Sequence, residues 1–222
     1  MSMIDFLVEQ EHDAQGKLKG VSVGVVTNIN DPKKRGRVKV RFPWREEQDN
    51  KDDSYWARLA TMMAGPDRGS FFVPEVGDEV LVAFEKGEIA HPFVIGALWN
   101  GQDAPPEPNF TEENNVRRIT SRAGHELIFD DDKQEQAQKV EVHTAAGHKV
   151  LLDDASGGEK IEIIDKTGSN KIVIDSVGNK ITIESAAELK IASQKISIEA
   201  GAAMDIKAGA TLTIQGALVK IN

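Results

Sequence analysis

Residues 160–184 read Lys160-Ile161-Glu162-Ile163-Ile164-Asp165-Lys166-Thr167-Gly168-Ser169-Asn170-Lys171-Ile172-Val173-Ile174-Asp175-Ser176-Val177-Gly178-Asn179-Lys180-Ile181-Thr182-Ile183-Glu184. One unit occurs three times in this stretch: an apolar residue, any residue, an apolar residue. In an extended chain successive side chains point to opposite faces, so each unit places an aliphatic pair on one face and its middle residue on the other. Gly- and Asn-containing segments between the units supply turn chemistry.

The unit extends in both directions. Val140/Val142 and Val150/Leu152 precede it; Leu189/Ile191, Ile196/Ile198, Met204/Ile206, Leu212/Ile214 and Val219/Ile221 follow. Starts are separated by 10, 11, 11, 9, 8, 7, 8, 8 and 7 residues. Two inward side chains do not offset the ordering of a whole repeat, which costs about 1–2 kcal/mol per residue for the backbone alone. Such units gain stability by stacking on neighbours, which are other turns of the same chain or other chains. Units of about eight residues favour an intertwined triple-stranded β-helix, because a single-chain solenoid uses longer coils. The expected trimer core is Ile161, Ile163, Ile172, Ile174, Ile181, Ile183, Leu189, Ile191, Ile196, Ile198, Met204, Ile206, Leu212 and Ile214. The shrinking spacing predicts a cross-section that narrows toward the C-terminus.

Aromatic placement supports a thin core. Every Phe, Trp and Tyr lies between Phe6 and Phe129, although a globular domain normally fills its interior with such rings. A proline-rich stretch, Ala104-Pro105-Pro106-Glu107-Pro108, marks an extended linker. Upstream, alternation and turn signals give five candidate strands: 21–28, 37–42, 55–62, 79–85 and 92–98. Five short strands without a helical period indicate an OB-type barrel, with Trp44, Trp56, Phe84 and Phe93 expected in its core. The expected architecture is all-β: an arm at 1–19, a barrel at 20–101, a linker at 102–116 and a β-helical spike at 117–222.

Bulk properties narrow the function. The 222 residues carry a formal net charge of −9, which opposes a dedicated phosphate-backbone binder. No cysteine is present, so thiol catalysis and thiolate metal sites are excluded. The first ten residues lack the basic start of a signal peptide, and no run approaches the roughly 18 apolar residues of a membrane span. The expectation is a protein made in the cytoplasm without a cleaved signal.

Val26-Thr27-Asn28, Asp31-Pro32 and Gly36-Arg37-Val38-Lys39-Val40-Arg41-Phe42-Pro43-Trp44 resemble the OB domain of the VgrG and phage baseplate assembly protein V family. Trp56-Ala57-Arg58, Pro74-Glu75-Val76-Gly77-Asp78 and Pro92-Phe93-Val94-Ile95-Gly96 resemble its later strands. The last stretch, Gly216-Ala217-Leu218-Val219-Lys220-Ile221-Asn222, is similar to the blunt end on which a PAAR-type cone sits. The resemblance implies a homotrimeric, non-enzymatic central spike of a contractile injection machine, needing no cofactor. It implies a baseplate hub protein at the N-terminal base, a PAAR-type tip protein at the C-terminus and transient contact with a target cell envelope. The assembled setting would be a phage tail, a type VI-like system or an extracellular injection particle. Family members often carry a large hub domain before the barrel; with about 20 residues there, the hub is expected as a separate protein.

Other candidate sites have plainer readings. The basic run from Lys33 to Arg41 fits a nucleic-acid face less well than a charged outer strand, because no aromatic platform alternates with it. His143 and His148 lack a third ligand at recognisable spacing, and Asp130-Asp131-Asp132 and Asp153-Asp154 lack the pattern of a calcium loop. Two further functional classes remain open: an OB-fold nucleic-acid binder with a repeat tail, and a β-helix polysaccharide-degrading enzyme. A spike carrying an effector at its tip is a closer variant.

Overall fold

The computed structural model describes residues 18, 20–45, 54–107, 112–133 and 136–221. Most of the expected arm and residue Asn222 lie outside these. The chain divides into two compact units, 1–112 and 113–222.

The first unit holds β1 (Val21–Asn28), β2 (Lys39–Arg41), β3 (Arg58–Leu59), β4 (Ala64–Gly65), β5 (Arg68–Gly69), β6 (Glu79–Phe84) and β7 (Pro92–Ala97). Five of them form one sheet in the order β2-β1-β6-β7-β3. The β3–β7 pair is parallel; the other pairs are antiparallel. Reciprocal backbone bonds between Val38 and Ala57, and the Ser54 N–H donating to the Val40 carbonyl at 2.7 Å, join β2 toward β3. Ile95 is the extra residue of a bulge between β6 and β7, where Leu81 faces Gly96 and Val82 faces Val94.

Alternation decides the barrel core. Val26, Val38, Val40, Phe42, Ala57, Val80, Val82, Phe84 and Val94 point inward and are buried. Of the four aromatics expected there, only Phe84 belongs to it, and Phe42 joins it. Six valines already fill the small interior, so the indoles are displaced. Trp44 packs on Phe42 with ring centroids 5.5 Å apart, and its Nε1 donates to the Ser22 hydroxyl. Trp56 lies half-buried against Arg37 and Lys39. The expected strand over 55–62 shrinks to Arg58–Leu59, with Ala57 bridged to Val38 just before it, because the chain leaves the sheet to form the β4–β5 hairpin. Phe71 and Met62, which flank that hairpin, are 83% and 90% exposed.

The second unit is a seven-stranded antiparallel meander: β8 (Val116–Thr120), β9 (Glu126–Asp130), β10 (Lys139–His143), β11 (Lys149–Asp153), β12 (Lys160–Ile164), β13 (Lys171–Asp175) and β14 (Lys180–Glu184). Each strand has five residues, and each pairs with its sequence neighbours. The units from Val140 to Ile183 therefore find their backbone partners within the chain. That differs from interchain pairing along the whole repeat. Connections of four to eight residues between these strands are long enough to reverse the chain, and that is the physical reason. Beyond β14 no strand is formed among the described residues, and none of 185–221 donates a backbone–backbone hydrogen bond to another described residue.

Candidate functional site

Strand register turns the aliphatic pairs into two columns on one face. One column runs Ile119, Leu127, Val142, Val150, Ile163, Ile172, Ile183; the other runs Phe129, Val140, Leu152, Ile161, Ile174, Ile181. Most of these side chains are well exposed: Ile163 is 48% exposed although it sits in the middle of the sheet. A contiguous apolar face of this extent marks an interaction surface. Leu127 and Phe129 extend it beyond the repeat as first delimited. Their spacing in Glu126-Leu127-Ile128-Phe129 is the same apolar–any–apolar unit, hidden by an apolar middle residue.

The opposite face is built differently. Its central row is Arg118, Ile128, Glu141, Leu151, Glu162, Val173 and Thr182. Ile128 and Leu151 are buried in this row, Ile128 between Arg118 and Glu141 and Leu151 between Glu141 and Glu162. Along one strand-end column the residues alternate in sign: Asp130, Lys139, Asp153, Lys160, Asp175, Lys180. Opposite charges facing across strands contribute roughly 0.2–1 kcal/mol per pair, and a displaced register would lose them. This ladder was not evident from the linear sequence, because each Asp–Lys pair straddles a turn of variable length.

Of the expected trimer-core residues, Ile161, Ile163, Ile172, Ile174, Ile181 and Ile183 lie together on the aliphatic face. Leu189, Ile191, Ile196, Ile198, Met204, Ile206, Leu212 and Ile214 all lie exposed in the segment after β14. The tip residues Gly216, Ala217, Leu218, Val219, Lys220 and Ile221 are exposed as well.

The family-motif residues of the barrel organise its turns. Asp31 is 7% exposed and accepts from the Lys33 and Arg35 backbone N–H groups at 2.9 and 2.8 Å. Arg37 grips the same carboxylate through Nε and Nη2 at 2.9 and 2.7 Å. The bond from Arg37 holds the Asp31 carboxyl well below the usual carboxylate range; burial opposes this. Pro32 opens the turn, and Gly36 closes it at φ +66°, a left-handed conformation that suits glycine. Arg37 and Lys39 then place their cations 5.7 and 5.8 Å from the Trp56 ring centre. Val38 and Phe42 enter the core while Arg41, Pro43 and Trp44 stay outside. Arg58 lies over Phe93 at 5.3 Å. In the Pro74–Asp78 turn the Gly77 N–H donates to the Val26 carbonyl, and the Asp78 carboxylate accepts from the Glu75 N–H. Pro92 is buried at the start of β7, and Gly96 follows the bulge residue Ile95.

In the second unit, Asp165 accepts from the Asn170 side chain and backbone and from the Thr167 hydroxyl. Those bonds, the one from the Asn170 side chain first, lower its pKa to about 2. Among the described residues no three His, Asp or Glu side chains gather as a metal-binding group. No helix is long and apolar enough to cross a membrane, again among the described residues.

A small OB-type barrel followed by a β-repeat with one uncovered aliphatic face defines a class of two-part, all-β chains. The chain matches the type VI secretion system/phage-baseplate injector OB domain over residues 22–99. It is 30% identical over 128 residues to the type VI secretion system spike protein VgrG1a of Pseudomonas aeruginosa, a match covering 54% of this chain and 20% of that protein. It is also 30% identical over 128 residues to the type VI secretion system spike protein VgrG3 of Vibrio cholerae, covering 57% and 11%. A third relative is the actin cross-linking toxin VgrG1 of Vibrio cholerae, 32% identical over 116 residues, covering 50% and 10%. The chain thus spans a fifth or less of the length of these relatives.

Proposed function

We propose that this protein is a structural spike of a contractile injection machine, of the phage-tail or type VI kind, acting as a homotrimer. The observation that carries the reading is the uncovered aliphatic face of the meander. In water, such a face on a sheet one layer thick is unstable. Three copies placed face inward around a common axis form a closed prism and bury all three faces at once. The segment after β14, with its aliphatic pairs and no backbone–backbone hydrogen bond donated to another described residue, then winds around two other copies.

In this reading the chain has four parts: an arm at 1–19, a barrel at 20–101, a linker at 102–116 and a spike at 117–222. The arm and barrel dock on a hub protein, and 216–222 carries a PAAR-type tip. The sheath supplies force and the trimer transmits it to the target envelope. The role is mechanical, without catalysis; the toxin named among the relatives carries far more chain than the part matched here. Interlocked strands suit the task because they unfold slowly. The particle is assembled from chains made in the cytoplasm.

The test is mass and shape in solution. Three chains of 24.2 kDa give an elongated particle of about 73 kDa. A folded 24.2 kDa monomer with an ordered meander refutes the proposal. Salt-sensitive binding of single-stranded DNA by that monomer would instead favour an OB-fold nucleic-acid binder.

A further inference from the structure

Three turns of the meander lie on one side of the sheet: 121–125 between β8 and β9, 144–148 between β10 and β11, and 165–170 between β12 and β13. The residue just before the next strand is His125, His148 and Asn170 in turn. Each accepts a hydrogen bond from the backbone of the following turn or of the exit from β14. The Ala145 N–H donates to His125 Nδ1 at 3.3 Å, the Lys166 N–H to His148 Nδ1 at 3.2 Å, and the Ala186 N–H to Asn170 Oδ1 at 3.2 Å. The donor in each case is the second residue after a strand. The three contacts are thus one device repeated along the sheet.

The chemistry of the acceptors differs. An imidazole accepts at Nδ1 only when neutral, with its proton on Nε2; the imidazolium has donors at both nitrogens. Imidazole is the side chain whose charge changes between pH 5 and 8. The asparagine amide keeps its acceptor oxygen throughout that range. We propose that this edge of the meander is an acid-sensitive seam: His125 and His148 tie successive turns together when neutral and release them on protonation, while Asn170 holds the last tie at either pH.

The surroundings contain both signs of charge. Glu126, His143, Lys149, Asp165 and Lys166 line the gap between the first and third turns. Around His148, Lys171, Glu184 and Glu188 join His143, Lys149 and Asp165. Carboxylates and ammonium groups as classes do not change charge between pH 5 and 8, so imidazoles govern the response there. His143 acts in the opposite sense. Its Nε2 and Nδ1 face Glu126 and Glu141 at 3.0 and 2.7 Å, contacts that both strengthen on protonation. Acid therefore tightens one site on the strands while loosening the turns beside it. The stability from the two turn contacts is present at neutral pH and lost as the pH falls.

The test is hydrogen exchange of the full-length protein, resolved to single amides at pH 7.5 and 5.5 and corrected for the chemical exchange rate. Protection at Ala145 and Lys166 should fall about fivefold relative to Ala186, the change expected for losing one net hydrogen bond. In the His125→Asn, His148→Asn double variant, which copies the chemistry of Asn170, the difference should vanish. Equal behaviour of all three amides in the wild type, or a fall that persists in the double variant, overturns the proposal. The tautomer provides a check without substitution: nitrogen chemical shifts at pH 7.5 must place the protons of His125 and His148 on Nε2, and the other tautomer refutes the seam.

Discussion

Ile163 lies at the centre of the uncovered face, between Val150 on one neighbouring strand and Ile172 on the other. Full burial of such a side chain is worth about 1.5–3 kcal/mol. The sheet alone leaves Ile163 48% exposed, so roughly half of that gain, about 1 kcal/mol, would come from the proposed trimer. Three equivalent copies raise the loss for Ile163→Ala to about 3 kcal/mol per particle from transfer alone, before any cavity cost.

Ile163→Asp is far more severe. It removes the same apolar burial and brings three carboxylates toward one dry axis, where each uncompensated charge costs several kcal/mol. The sum exceeds about 10 kcal/mol per trimer, a shift of more than about ten million-fold in the association constant. Sedimentation equilibrium at micromolar concentration should therefore give about 73 kDa for the wild type and lower mass or aggregation for Ile163→Asp. Glu162→Ala, one residue away on the other face, should leave the mass unchanged. A full-mass, stable Ile163→Asp trimer would show that this face does not line the axis, and the reasoning would fail.

Other consequences concern the barrel and one turn. Gly24 is buried on β1, and a Cβ there would run into Val40 Cγ1 and close on the Phe42 ring, so Gly24→Ala should cost about 1–3 kcal/mol in urea unfolding of the barrel. An unchanged midpoint would mean that β1 and β2 are not packed as described. Because the folded Asp31 carboxyl is held below its ordinary value of 3.8, its contribution to stability is present above that pH and lost as the pH falls through and beneath it. Acid unfolding of the barrel should consequently be less steep below pH 4 in Asp31→Asn, which should also be the less stable protein at pH 7; identical acid limbs would contradict the Arg37 clasp. Asp165 should titrate at about 2 when followed by its carboxyl carbon resonance, and a midpoint near 3.8 would show the Thr167–Asn170 turn to be open.

The legibility of the sequence followed the range of the interactions involved. β1 could be read to its ends because alternation and the Asp31-Pro32 turn are local signals. The third barrel strand could not: whether Tyr55 to Met62 continues in the sheet depends on a hairpin that leaves it, and the distant β7 offers pairing only to Arg58 and Leu59. The tryptophans misled for a related reason. Their size suggests an interior place, but the interior volume is set by how valines from four separate segments close the barrel, and this leaves the indoles outside. In the repeat, face and period were readable because both are properties of a few adjacent residues. Which units pair within the chain was less so, although turn length carried the answer. Units separated by four or more intervening residues beyond the five-residue strand fold back on themselves. From Ser185 onward the gaps between strand-length segments fall to two or three residues, as at Ser193-Gln194, where neither residue readily adopts the positive φ of a tight two-residue hairpin. The change of spacing near residue 185 coincides with the end of strand pairing among the described residues, and it is there that the proposed trimer would supply partners from other chains.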